Sequence, residues 1–328
     1  MTFRHIYSFI FALSMPLTML HAQESSSVFN FLSLSSSAHT VALGGHNIST
    51  VDDDASMIFT NPCALANTSS RTLNLNYMNY MRGTHTGSAA YVQSHRTRGS
   101  WGAGAQFVTY GSMKETDQWG HVLGTMSAID LNLTGGYSYA LSEHWVGAVM
   151  GKFLYSKYAS FTSVGLCVDL SANYYSEEHD FSVAAAICNL GAQVKAFGEE
   201  HERLPLNLKL GFSKGLGHLP ARITVTMFDI NHWSHDYYFN STGEEIGGFT
   251  VFINHFALGL DIFPTRYMWI ALGYNFRRAY EMKAAGASHA AGLSLGAGID
   301  IRRFKVGVSW AKQHVSTNAL CVSLAYKM

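Results

Sequence analysis

The sequence predicts an all-β chain, an outer-membrane antiparallel β-barrel of about 14 strands with an N-terminal segment plugging its lumen. Three observations carry this: short stretches of alternating apolar and polar residues from about Arg71 to the end, connections whose lengths segregate by parity, and an unusual composition. Charged residues are 13% of the 328 residues, about half the usual quarter of a soluble globular chain. The 30 glycines and 13% aromatics suit twisted strands with aromatic belts at the lipid boundary. Mean hydropathy is only +0.05. After the leader no run reaches the roughly 18 apolar residues of a transmembrane helix. Formal net charge is zero and no Lys/Arg-rich patch interleaves with aromatics, so nucleic acid is not an expected partner.

The elements follow in order. Residues 1–22 read as a signal peptide, with Arg4 in a short basic start, an apolar stretch over 6–20 and small Ala22 before Gln23. Residues 23–70 read as the plug, rich in Ser and small residues. Within it, Gly44-Gly45 allows backbone conformations closed to other residues, Asp52 and Asp54 flank a third aspartate, and Asn61-Pro62 marks a turn before a short helical piece. Residues 71–328 read as the barrel. In its last stretch Leu320, Val322, Leu324 and Tyr326 share one face and Cys321, Ser323, Ala325 and Lys327 the other, since successive strand side chains point to opposite sides. The same split recurs along 129–134, 206–213 and 268–275. Lumen-facing positions such as Gly292, Ser294, Gly296 and Gly298 are small enough to leave room for the plug.

With both termini in the periplasm, connections after even strands should be tight and those after odd strands long. Tight turns are expected at 96–99, 142–143, 176–179, 216–219, 264–265 and 302–303, and long outer connections at 111–125, 195–204, 231–247 and 278–288.

Chemistry motifs are scarce. No G-x-S-x-G elbow, H-E-x-x-H pair, Walker A loop or Rossmann glycine pattern is present, and neither catalysis nor a cofactor is expected. Asp130, Asp169, Asp261, Asp300, His255 and Lys305 read as polar lining of the lumen. His232, His235 and Asp236 have ligand spacing for Zn or Cu, but no cysteine or third histidine lies nearby in sequence, so a metal site is not assigned. The aromatic run Trp233, His235, Tyr237, Tyr238 and Phe239 reads equally as a partner contact or as part of an aromatic girdle. Cys167 and Cys188 are symmetric about a turn at Glu177-Glu178, a register that would set them opposite within disulfide reach; reduced thiols are the default reading.

Four segments carry a resemblance: Phe29-Asn30-Phe31-Leu32-Ser33-Leu34, Ala42-Leu43-Gly44-Gly45 through Ile48-Ser49 to Asp52 and Asp54, Asn61-Pro62 with Ala64-Leu65, and Tyr77-Met78-Asn79-Tyr80. In these the chain resembles the PorQ family, outer-membrane components of the type IX secretion system of Bacteroidetes within the FadL-like barrels and related to PorV. The resemblance implies fourteen strands, a lumenal N-terminus, and a non-catalytic role holding a PorZ-like surface protein in an attachment complex with PorU and PorV. Outer-membrane lipid is the other implied partner. Cys63 replaces a small residue, and the Lys327-Met328 end replaces a terminal aromatic. The alternative implied by the wider group is a passive channel for hydrophobic small molecules, which needs an apolar pocket in the lumen and a kinked strand at Gly135-Gly136 or Gly247-Gly248.

Overall fold

The computed structural model describes residues 27–81, 83–95, 98–119, 121–234, 237, 246–282, 290–314 and 316–328. The expected leader lies outside them. The strands are β1 Thr72–Met81, β2 Thr84–His95, β3 Gly99–Thr116, β4 Val122–Ala140, β5 Trp145–Tyr158, β6 Phe161–Ser176, β7 Phe181–Lys195, β8 Asn207–Gly215, β9 Ala221–Met227, β10 Phe256–Thr265, β11 Met268–Asn275, β12 Leu293–Ile301, β13 Phe304–His314 and β14 Thr317–Lys327. Each pairs antiparallel with its neighbours in sequence, and β1 pairs with β14 to close the ring. Closure leaves no unpaired edge and satisfies the backbone inside the sheet, as a strand-built membrane span requires.

The alternation places the faces as expected. Leu320, Val322 and Leu324 point outward and are exposed, while Cys321 and Ala325 point inward and are buried. The tight ends fall between strands at 96–98, 141–144, 177–180, 216–220, 266–267 and 302–303. All the longer connections lie at the opposite, outer end, although there β1 and β2, β5 and β6, and β13 and β14 also follow one another within two residues.

One expected loop is a paired hairpin. Residues 111–116 continue β3 and residues 122–125 begin β4, with Ser112 opposite Ser127 and Lys114 opposite Thr125. Gly111 (φ 72°) sits in a β-bulge there and does not begin a loop. The wall is consequently uneven: β3 and β4 have 18 and 19 residues, whereas β9 has 7.

The plug runs the length of the lumen. At the outer end Ser27 bridges Arg203. The chain then makes a 3-10 turn at Asn30–Ser33, helix α1 (Ala38–Ala42) and 3-10 turns at Ala55–Phe59 and Pro62–Ala66, before emerging at the periplasmic end next to β1. Apolar plug residues fill the lumen, with Ile58, Phe59 and Leu65 packing on Ala90, Val92 and Met150. Val41 packs on Ala311, Ala319 and Cys321. In the outer connections lie α2 (Gly248–Asn254) and α3 (Phe276–Glu281).

Candidate functional site at the plug and the wall

Helix α1 is short because its sequence begins and ends it. The Ser37 hydroxyl accepts from the Thr40 amide at 3.2 Å as an N-cap. Gly44 and Gly45 adopt φ of 92° and 89°. Their amides donate to Val41 O (3.2 Å) and Thr40 O (2.8 Å), the paired closure that ends a helix through left-handed residues. The helix lies directly on the wall. A Cβ on Gly273 would sit 2.3 Å from both Ala42 O and the Gly44 nitrogen. Ser294 Oγ donates to Ala42 O at 2.9 Å and Asn275 Nδ2 to Gly44 O at 3.0 Å. Asn61 fixes the next turn of the plug. Its Nδ2 donates to Ile48 O and its Oδ1 accepts from the Cys63 amide, with Pro62 at the first helical position where its missing N–H costs nothing.

The three consecutive aspartates fasten the plug at the periplasmic end. Asp52 forms a two-pronged pair with Arg222 of β9, both N···O distances 3.0 Å. Arg222 also bonds Asp261 of β10 through Nε (3.0 Å) and Nη2 (2.8 Å). His39 closes the ring, 3.1 Å from Asp52 and 2.7 Å from Asp261, and stacks on Trp269 at 4.2 Å. Two carboxylates thus meet a guanidinium and an imidazole in a buried, charge-balanced set when His39 is protonated. Asp53 meets Lys327 at 2.7 Å and Lys305 at 3.0 Å. Asp54 caps the 3-10 turn at Ser56 and accepts from Asn74 Nδ2 at 2.9 Å.

The latch has a pH window. Burial alone would lower the His39 pKa, but Asp261 and Asp52 together raise it to about 10 from an ordinary 6.5. Its contribution is therefore full below about 6.5 and is lost as pH rises through 10. Burial alone would raise Asp53, but hydrogen bonds from Lys327 and Ser69 bring it to about 2 from 3.8. Its contribution is present above 3.8 and is lost as pH falls through 2. Hydrogen exchange of amides 38–66, scaled to their intrinsic rates, should therefore be slowest between about pH 4 and 6.5 and accelerate on either side, while strand amides stay protected.

Toward the outer end the lumen becomes apolar: Phe29, Phe31, Val108, Leu154, Cys167 and Leu204 form one buried cluster. On the lipid side of the same wall lies an open recess of about 600 Å³, lined by Leu133, Phe153, Leu166, Val168 and Leu190 together with Gly135, Gly151, Lys152 and Cys167. Beside it β7 bulges, since Val168 faces Leu190 but Leu170 faces Ile187, and Asn189 takes φ 63°. Asp169 holds the bulge by accepting from the Asn189 amide at 2.7 Å, and Lys152 Nζ lies 2.5 Å from Asp169 and 3.0 Å from Asn189 Oδ1. Next to the recess the register is therefore broken at Asn189. Gly135-Gly136 pairs in regular register with Gly151 and Met150, and Gly247-Gly248 leads into α2 outside any strand.

The expected opposition of Cys167 and Cys188 does not form. Cys167 faces Gly191, Cys188 faces Asn207, and both are free thiols. The turn spans 177–180 and the bulge adds a further residue, so the register moves past the position symmetry implied. In the 231–247 connection, His235, Asp236, Tyr238 and Phe239 lie outside the described residues. Tyr237 packs on the cluster of Ile246 and Val251, and the Trp233 ring stacks on His255 at 4.1 Å.

From the sequence Asp261, Lys305 and Ser294 read as lumen-facing without being paired with the plug, and Arg222 is not singled out. Arg222 and Asp261, opposite each other across β9 and β10, carry the one available signal, complementary charges on lumen-facing positions of adjacent strands.

Fold and lumen together define a class: a closed, plugged fourteen-strand barrel of the Gram-negative outer-membrane type. No family model matches the chain, and no curated protein sequence is similar to it. Solved structures share its fold. The toluene transporter TodX of Pseudomonas putida superposes with TM-score 0.58 at 11% identity, over 89% of this chain and 98% of that one. A TodX deltaS2S3 mutant, described as a monoaromatic hydrocarbon channel, gives 0.59 at 12% identity over 89% and 98%. The CymD monoaromatic hydrocarbon channel gives 0.58 at 12% over 91% and 98%. At these identities the likeness is one of fold.

Proposed function

We propose that this barrel is a non-catalytic, passive channel for small hydrophobic molecules, which enter at the outer rim and leave sideways through the wall into the bilayer. One observation carries the reading. Cys167 belongs both to the buried apolar cluster inside the lumen and to the lining of the recess outside, so only the β6–β7 wall separates the two, at a bulge held by the buried Lys152–Asp169 pair. The plug occupies the whole lumen, with its own Phe29 and Phe31 in the outer cluster, so a solute that water disfavours has to displace these two rings to reach the wall, a shorter route than one past the entire plug. The solutes in the names of the similar solved structures, toluene and monoaromatic hydrocarbons, set the substrate class to test.

The test is uptake of labelled toluene by a Gram-negative host making the wild-type barrel, Cys167→Trp or Leu190→Trp. Wild type should take up toluene faster than the host alone, and filling the wall from inside or outside should return uptake to the host level. Wild-type uptake equal to that of the host would refute the reading.

A second reading is favoured by the tall hairpin. The tip of β3 and β4 holds Trp119, Val122 and Leu123 at 74%, 58% and 68% exposure, a surface suited to a protein partner. This supports the role implied by the type IX resemblance, a surface anchor for a PorZ-like protein in a complex with PorU and PorV. A large soluble protein co-purifying with the barrel from its native outer membrane, and lost when the hairpin is trimmed below Met113 and Met126, is the expected result of that role; a bare barrel would count against it.

A further inference from the structure

The barrel wall is too short on one side to cross the membrane by strands alone. At about 3.3 Å per residue and a tilt of roughly 40°, the seven residues of β9 rise about 18 Å, against an apolar band of about 25 Å. Its sheet neighbours β8 and β10 have nine and ten residues, and β11 and β12 beyond β10 have eight and nine. Above this low side sits α2, at the outer end of β10. Val251 and Asn254 turn inward and are buried, and Phe249 and Phe252 turn outward at 75% and 45% exposure. The Phe252 ring lies 5.1 Å from Phe256, the first outward-facing residue of β10, and 6.4 Å from Trp233. From Ile246 to Leu260 the chain has no Asp, Glu, Lys or Arg.

We infer that α2 lies in the plane of the outer leaflet and completes the barrel's apolar belt on this side, with Phe249 and Phe252 among the lipid acyl chains. The occupant follows from continuity: the exposed face of the helix extends the lipid-facing row Phe256, Leu258, Leu260 and Ile262 of β10 without a polar break. Aromatic residues gathered on one face are what a helix at the acyl boundary presents to lipid, and an exposed apolar run is out of place in a water-facing loop. On the opposite side, β3 and β4 rise roughly 45 Å by the same reckoning and need no such supplement.

The test is site-directed spin labelling of the full-length barrel in native-composition outer membrane at Phe249→Cys, Phe252→Cys and, as reference, Leu123→Cys on the tall hairpin. The four native cysteines are buried. Retained heat-modifiable migration on gels reports the fold of each variant. Labels at 249 and 252 should collide with dissolved oxygen and be shielded from a water-soluble nickel chelate, with the label at 123 showing the reverse. Nickel access at 249 and 252 equal to that at 123 would place the helix in water and overturn the inference. Shielding from both reagents would mean that a protein covers the helix, and would overturn it as well.

Discussion

Arg222→Met is expected to free the plug while leaving the barrel closed. The guanidinium makes four of the bonds that hold Asp52 and Asp261. Without it two carboxylates face each other with only His39 between them. Breaking a buried pair by removing one partner costs roughly 3–5 kcal/mol, and the strand ladder does not depend on these side chains. Exchange of amides 38–66 should accelerate by orders of magnitude with the strands unchanged. The triple change Arg222→Met, Asp52→Asn, Asp261→Asn removes both carboxylates together with the guanidinium and should cost less than the single change, because no carboxylate is left without its partner. Plug amides as protected in Arg222→Met as in wild type would show that the latch is not what holds the plug.

Gly273→Val should unseat the plug from the other side. The added Cβ would meet the backbone of Ala42 and Gly44, which has no flexible end to move aside. Overpacking costs about 1–3 kcal/mol, and lifting α1 also breaks bonds from Ser294 and Asn275 to its carbonyls, each worth about 1 kcal/mol. A total of about 3–5 kcal/mol should lower the urea concentration at which the plug amides open. Gly151→Ala, where the nearest atom is 3.8 Å away, should stay within about 0.5 kcal/mol of wild type. Equal effects at the two glycines would mean that the close approach at Gly273 carries no energy.

How much of this was legible follows from where each signal resides. The strands could be read because a period of two is local, and each lipid-facing position repeats it. The tall hairpin could not: above the membrane no lipid enforces alternation, and Gly111, Lys114 and Glu115 look like a loop. Gly44, Gly45, Asp52, Asp54 and Asn61 stood out as a motif because their spacing lies within one segment. Their partners Arg222, Asn275 and Ser294 lie more than 150 residues away and meet them only on closure. The cysteine register failed on two details that no pattern announces, a four-residue turn and an inserted residue at Asn189.

The sideways route is tested most directly by photolabelling in intact outer membranes with a small apolar arene diazirine, followed by mapping of the modified residues. A route through the β6–β7 wall predicts label on both of its sides, at Leu166 and Leu190 facing lipid and at Phe29 and Leu154 inside, with the inner label lost in Cys167→Trp. Label confined to lipid-facing residues around the whole belt would contradict it.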